Sequence, residues 1–239
     1  MNMIDGEVFK GAAHTTATFA AALGVDEHST QALSNIAEHH LFLARLDVVR
    51  RTLGRFVSKA WHDEHLRGVQ KFMGSLFKVG EDPHTAARYR AMSNLPEGSF
   101  GHAYWYHCTS RGFGLPGERG GIPELAIFHD LGHVLSGYDT NPEGEIQQAA
   151  FQAGFVRNDG FIFLFFGIAQ FHLGMKLTPV AEPEVGLLDV DKVMVALGRG
   201  ASCTVDLSDH WDFWPLLSLP LQEVRNMLHV PPLLEPGAT

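Results

Sequence analysis

The stretch HDLGHVLSGYDTNPEGE, residues 129 to 145, decides how this chain is interpreted, because it joins a helical pattern to a set of metal-ligating side chains. His129 and His133 are four residues apart. Residues at that spacing lie on one face of a helix, and Asp130 lies about 100° round from His129. The spacing therefore predicts a helix that points two imidazoles the same way and holds a carboxylate beside them.

The second half of the stretch predicts a turn that reverses the chain. Residues 138 to 144 are rich in Asp, Asn, Pro and Gly, which end one helix and start the next. The resulting helix–turn–helix hairpin folds Glu145 back against His129 and His133. Imidazole and carboxylate, without thiolate, suit zinc, iron, manganese or cobalt. Asp130 is either a further ligand or an acceptor that fixes the tautomer of a histidine.

Other histidines in the chain fit structural roles better. The chain has 14 histidines, so some pairs at helical spacing arise by chance. WHDEH (61 to 65) is interpreted as a charged helix face, because no third ligand lies at hairpin distance from it. His102 and His107 flank aromatic residues and are assigned to an aromatic core, with the alternative that one of them lines the metal site. His210 matches no known ligand spacing and is interpreted as structural.

The remainder of the chain is predicted to be helical, with few alternating strand patterns. Residues 1 to 28 are interpreted as a poorly specified arm, and residues 29 to 232 as one helical domain. We therefore predict an all-α, single-domain helical bundle with antiparallel helices. The predicted helices cover residues 29–49, 64–78, a short segment after Asp82-Pro83, 100–111, a segment from 122, 143–157, 160–175, 189–197 and a segment from 218.

Composition excludes several classes of protein. The net charge is −9 over 239 residues, and no long Lys/Arg run is present, which argues against nucleic-acid binding. The basic residues between Arg45 and Lys59 are interpreted as a solvated helix face, with contact to an anionic membrane as the minor alternative. Cys108 and Cys203 form no CxxC pair, which indicates a reducing compartment. The apolar run 160–175 is too short to span a bilayer and is predicted to be a buried helix or the wall of an apolar pocket.

Three motifs together resemble the coenzyme Q biosynthesis protein 4 family. The first is HD-x-x-H followed by eleven residues and Glu, ending in NPEGE (141 to 145). The second is LPEGSFGHAY (95 to 104), which is similar to the family's turn and following tyrosine. The third is PLQEVRNML (220 to 228), which is similar to its C-terminal helix. The motifs occur in the family's order, and the resemblance covers roughly residues 70 to 230.

The resemblance implies an all-α fold and a catalytic divalent metal held by the residues at His129, Asp130, His133 and Glu145. It also implies an apolar cavity for an isoprenoid tail and association with other quinone-biosynthesis enzymes or with a membrane. The reaction it implies is oxidative decarboxylation at ring carbon one of a prenylated benzoate. We expect a homodimer. We expect it in the cytoplasm, since the N-terminus shows no targeting segment, with peripheral contact to the inner face of the membrane.

Three hypotheses about function follow. The first is a metal-dependent enzyme that acts on a prenylated phenolic acid or quinone precursor. The second is a non-catalytic scaffold that binds isoprenoid lipid and carries a structural metal. The third is a metal-dependent phosphohydrolase, suggested by the His-Asp doublet. That class needs further ligands from other helices, and His102 or His107 would have to supply one.

Overall fold

The computed structural model describes residues 10–22, 81–158, 160–177, 181–209 and 211–233. These residues contain no β-sheet, only two isolated bridges, and the all-α prediction is confirmed. The α-helices are α1 (Lys10–Ala22), α2 (Pro83–Arg90), α3 (Phe100–Ser110), α4 (Ile127–Ser136), α5 (Pro142–Phe155), α6 (Phe161–Phe171), α7 (Val190–Ala201) and α8 (Leu221–Met227), with short 3₁₀ helices at Ala91–Asn94, Glu124–Ala126 and Trp214–Leu216.

The start of several helices is fixed by the residue just before them. The Asp82 side chain accepts hydrogen bonds from two backbone N–H groups of the first turn of α2. The side chain of Asn141 does the same for Gly144 in α5, and that of Asp189 does so for Lys192 in α7. Each cap satisfies a donor that the helix itself leaves without a partner. Proline follows Asp82 and Asn141 directly, where its missing N–H costs nothing.

Some predicted boundaries were wrong. α4 begins only at Ile127, because residues 124 to 126 form a 3₁₀ turn after Pro123. α6 ends at Phe171 rather than at residue 175. There Leu173 pairs with Val185, and Gly174, at φ 68°, donates its N–H to the carbonyl of Glu184. α1 lies within the segment that the sequence left unspecified.

α7 is longer than predicted, and Gly200 near its end serves close packing. The sequence predicted an end near residue 197, but the helix continues to Ala201. A β-carbon on Gly200 would collide with the carbonyl of Phe151 in α5, and one on Gly154 would collide with the backbone of α7. These glycines therefore allow the two helix backbones to touch, so they serve close packing rather than termination.

The core lies around α5, which packs against α4, α6 and α7. Its aromatic residues Phe151 and Phe155 are fully buried, and so are Ile162 and Phe165 on α6. Burial of each such side chain stabilises the fold by about 1.5–3 kcal/mol. α6 is therefore a buried helix, which was one of the two roles predicted for it. Among the described residues, no helix has both the length and the apolar character needed to cross a membrane.

Several predictions lie outside the described residues. These are the helices at 29–49 and 64–78, the WHDEH segment, the basic stretch that ends at Lys59, and His210. The proposed domain boundaries at residues 28 and 232 stay predictions.

Candidate metal centre

The hairpin predicted from the sequence is present between α4 and α5. Gly137 ends α4 in the left-handed conformation, at φ 81°, and donates its N–H to the carbonyl of His133 at 2.8 Å. The chain then turns back, and Gly144 packs so closely on the backbone of Asp139 that a β-carbon would not fit. Glu145 follows in the first turn of α5 and faces the two histidines of α4.

The three predicted ligands meet at one point. The Nε2 atoms of His129 and His133 are 3.3 Å apart. One carboxylate oxygen of Glu145 lies 3.4 Å from Nε2 of His129, and the other lies 3.4 Å from Nε2 of His133. Two ligands bound at about 2.0–2.1 Å to a tetrahedral ion are about 3.3–3.4 Å apart. The spacing of the donor atoms therefore fits a divalent metal ion.

Hydrogen bonds on the far side of both rings select the tautomer that binds metals. Nδ1 of His133 lies 3.0 Å from the backbone carbonyl of Tyr138, which can only accept, so Nδ1 carries the proton and donates it. Nδ1 of His129 likewise donates to the side-chain oxygen of Gln152 at 3.1 Å. In the neutral rings both Nε2 lone pairs consequently point at each other. Their repulsion is removed by a cation or a proton between them.

A second layer of hydrogen bonds fixes the two helices at this point. Gln148 is fully buried; its amide N–H₂ donates to the carbonyl of His129, and its side-chain oxygen accepts from Ser136 at 2.8 Å. The backbone N–H of Tyr138 donates to the Ser136 hydroxyl. Gly132 leaves space for the side-chain amide of Gln148, since a β-carbon at residue 132 would collide with that amide. The metal ligands therefore rest on a rigid, fully bonded support.

The charges of His129 and Glu145 depend on each other. Burial disfavours the charged form of His129, but the hydrogen bond and charge of Glu145 outweigh burial and raise the pKa of His129 to about 9. Burial likewise opposes the Glu145 carboxylate, yet hydrogen bonds from His129 and His133 lower its pKa to about 2. Without a metal, the centre therefore holds an ion pair at neutral pH, and a metal has to displace that proton.

Asp130, the fourth residue predicted for the site, lies outside this group of ligand atoms. The described residues contain one cluster with metal-ligand spacing, formed by His129, His133 and Glu145. The carboxylate of Asp130 is half-buried, and burial raises its pKa while the two histidines oppose that rise. A ligand role for Asp130 stays a prediction. Three protein ligands also leave a position open, as in metal sites that act on substrates.

Sequence reasoning missed the residues that orient the ligands. Gln148 and Gln152 follow Glu145 at helical spacing, so two polar residues on the inner face of α5 were an available signal. The Tyr138 carbonyl carried no such signal, because every residue has one. His102 packs against Trp105, in line with its aromatic assignment, and Cys108 is buried as predicted. His107 stacks on His133, so for this residue the structure agrees with the alternative prediction, a place beside the metal site.

The carboxyl end of α4 is held by two arginines, Arg199 and Arg225, which we call the arginine cap. The Arg225 guanidinium donates to the carbonyls of Val134 at 3.0 Å and Leu135 at 2.9 Å. Arg199 donates to the carbonyl of Ser136 at 2.8 Å. Cations are favoured at the carboxyl end of a helix, where carbonyls lack partners within the helix. The arginine cap thereby anchors the helix that carries both histidines.

The fold and the site together define a helical protein with a candidate metal centre of two histidines and one glutamate. Among solved structures, it is similar to a protein of Nostoc punctiforme that is provisionally described as a ubiquinone biosynthesis protein. The identity is 20% and the TM-score 0.42, over 80% of this chain and 96% of that chain. No protein-family model matches the chain, and no curated protein matches it. The function is therefore argued from the site and its motifs.

Proposed function

We propose that this protein is a metal-dependent enzyme of ubiquinone or related prenylated-quinone biosynthesis that acts on the ring of a prenylated benzoate. The observation that carries the proposal is the convergence of His129, His133 and Glu145 on one point, with both Nδ1 atoms already engaged. The link to quinones rests on the resemblance of the three sequence motifs to the coenzyme Q biosynthesis protein 4 family.

The chemistry of the donor set supports a substrate with oxygen substituents. A divalent metal at an open site binds and polarises a carboxylate or a phenolate. His129 and Glu145 are partly exposed, with side-chain exposures of 33% and 23%, whereas the side chain of His133 is at 1%. The centre is therefore reached from the side of His129 and Glu145, and His133 lies at its inner end.

The reaction we propose is oxidative decarboxylation at ring carbon one. The bond between that carbon and the carboxyl group breaks, carbon dioxide leaves, and a hydroxyl group whose oxygen comes from water takes its place. Two electrons and two protons pass to an oxidant, and with dioxygen as the oxidant the product is hydrogen peroxide. Zinc has no redox chemistry, so this reaction favours iron, manganese or cobalt, or a bound organic cofactor, over zinc alone.

The first test is elemental analysis of the purified protein beside Glu145→Gln, which keeps the shape of the side chain and removes its charge. Glu143→Gln is the matched control, because Glu143 is in the same turn of α5 and faces Lys192 at 3.7 Å. We expect one redox-capable metal per chain in the wild type and in the control, and none in Glu145→Gln. Absence of metal from the wild type under metal-replete expression contradicts the proposal.

The second test separates an enzyme from a scaffold. Quinone content is measured in a quinone-deficient host that expresses wild-type protein, Glu145→Gln or Glu143→Gln. The enzyme proposal predicts that Glu145→Gln alone fails to restore the quinone. Equal restoration by all three, with isoprenoid lipid copurifying, supports the lipid-binding scaffold instead. A phosphohydrolase is not proposed, because the ligand cluster among the described residues draws on α4 and α5 only.

A further inference from the structure

His107 of α3 lies beside the metal centre without being one of its ligands. Its ring stacks on that of His133, with centroids 5.6 Å apart and planes at 25°. The residue is 7% exposed, and its Nε2 atom has no hydrogen-bond partner. A buried polar atom without a partner is unfavourable, so a bound group that supplies a partner is favoured at this position.

A second buried polar group of α3 lies one helical turn before His107. Tyr104 is fully buried, and its hydroxyl meets only the Cys108 thiol, which is a weak hydrogen-bonding group. Burial, and after it the charge of the half-buried Asp130 on α4, raise the pKa of Tyr104. These groups contrast with Gln148 and Gln152, whose polar atoms are engaged on the other side of the histidines.

From this arrangement we propose that His107 is a substrate-binding residue, whose Nε2 hydrogen-bonds an oxygen substituent of the aromatic ring held at the metal. The inference rests on the proposed function and adds a named contact to it. A stacked imidazole fits this role, because its ring is fixed by the contact with His133 and with Phe113, whose centroid is 6.2 Å away. The nitrogen is therefore held in place before the substrate arrives.

A carboxylate or phenol is the ligand chemistry that these groups suit. Nε2 of an imidazole can donate or accept, and a tyrosine hydroxyl can do both. A ring that carries a hydroxyl and a carboxyl group supplies matching donors and acceptors, while an apolar ligand leaves these atoms without partners. An unpaired buried polar group is what allows a site to reject a ligand that lacks the corresponding oxygen.

The test uses protein loaded with Co²⁺ and a 4-hydroxybenzoate that carries a short prenyl chain. Binding is followed by the visible absorption of the cobalt. His107→Phe keeps an aromatic ring against His133 and removes the nitrogen, whereas His107→Gln returns a polar nitrogen near the same place. His102→Phe is the control, because His102 is on the same helix but packs on Trp105.

We expect unchanged Co²⁺ stoichiometry in all variants, affinity for the probe about tenfold weaker in His107→Phe, and affinity within about threefold of wild type in His107→Gln and His102→Phe. Equal affinity of His107→Phe and wild type for the probe overturns the inference while leaving the proposed function intact. Loss of Co²⁺ from His107→Phe, with probe affinity unchanged in reloaded protein, also overturns it and makes His107 a support for His133. A wild type that binds no metal fails earlier, at the proposed function.

A second measurement keeps the inference testable if His107→Phe does not fold. Zinc-loaded wild type is labelled with ¹⁵N in the histidine rings, and the His107 signals are identified by their absence from His107→Gln. Addition of the same probe is expected to shift the Nε2 resonance of His107 and leave that of His102 in place. An Nε2 resonance that does not move overturns the inference.

Discussion

The ligand face of α4 and its carboxyl end have opposite hydrogen-bonding environments in the protein. At the carboxyl end, Gly137 and the arginine cap give partners to the last carbonyls of the helix. On the ligand face, two Nε2 atoms and a carboxylate are brought together, and only a proton or a metal ion joins them. Both regions belong to a helix of ten residues.

This difference indicates where stability and function are located. A helix end with every carbonyl engaged resists fraying, so it is a good anchor. A cluster of donor atoms that is joined only by a proton in the metal-free protein can exchange that proton for a metal ion, so it serves binding more than folding. Changes at the carboxyl end should therefore lower stability with little effect on metal binding. Changes on the ligand face should weaken metal binding with little effect on stability.

The largest effect is expected from His133→Ala. His133 is the most buried of the three ligands, and its loss removes one of the three donors that the described residues bring together. Affinity for Co²⁺ or Zn²⁺ should fall by more than about 100-fold, beyond the ~10–100-fold typical of residues that only orient ligands. Isothermal titration against a chelator of known affinity measures this. A loss under tenfold would mean that the cluster is not the metal site.

The next effect is the dependence of metal affinity on pH. The pKa of His129 is raised to about 9, so the proton is bound in the metal-free protein at pH 7 and is lost as the pH rises through 9. Glu145, with its pKa lowered to about 2, stays ionised over this range. Metal binding at pH 7 therefore releases one proton from His129.

We expect metal affinity to rise about tenfold per pH unit from pH 7 to 9, about 100-fold in all, and to level off above pH 9. Titrations in buffers of different ionisation enthalpy count the protons released. His129→Gln, loaded at higher metal concentration, should lose most of this slope. A wild-type affinity that is flat between pH 7 and 9 would show that Glu145 does not hold a proton on His129.

A smaller effect, on stability rather than on metal binding, is expected from Arg225→Met. The change leaves the carbonyls of Val134 and Leu135 without their charged donor. This should cost about 2 kcal/mol, or about 4–8 °C in Tm for a chain of this size. Arg90→Met is the control, because Arg90 forms an exposed ion pair with Glu118 and should cost under about 1 kcal/mol.

Thermal unfolding of metal-free and metal-saturated protein checks this prediction. Metal stoichiometry in folded Arg225→Met should equal that of the wild type. If Arg225→Met abolishes metal binding at a temperature where the protein is folded, the separation between the two regions of α4 does not hold.

The smallest effect is expected from Gln152→Leu. The substitution removes the acceptor for Nδ1 of His129 and leaves the ring free to change its tautomer. Because His129 is the more exposed histidine, water can replace part of that bond, and the loss of metal affinity should be about tenfold, at the low end for such residues. Competition titration measures it, with Gln147→Leu on the exposed face of α5 as control. No loss would show that Gln152 does not orient His129.

Short-range signals in the sequence were enough for most helices and for the metal hairpin. Asp82-Pro83 and Asn141-Pro142 mark helix starts, because capping and the fixed φ of proline act over two or three residues. The pairing of His129 with His133 follows from the helical repeat alone. Glu145 joins them because the turn between the helices is short and is closed by glycines that the local backbone requires.

Contacts between distant parts of the chain could not be predicted from such short-range signals. The glycines of α7 look like a helix end in the sequence, and only the packing against α5 reveals that Gly200 allows close approach. Arg225 lies 90 residues from the carbonyl of Leu135 that it binds. A local pattern carries no information about such a partner, because hydrogen-bonding groups of the backbone are the same at every residue.

The sequence by itself determined which residues can bind a metal and that they share a hairpin, since both follow from helical periodicity and turn chemistry. Only the tertiary structure decided how those residues are used. It set the tautomers of His129 and His133 through Gln152 and the Tyr138 carbonyl, and it placed His107 from a separate helix beside the centre. The reason is physical: burial and hydrogen-bond geometry arise when helices pack, so they fix the protonation and orientation of groups that the sequence only supplies.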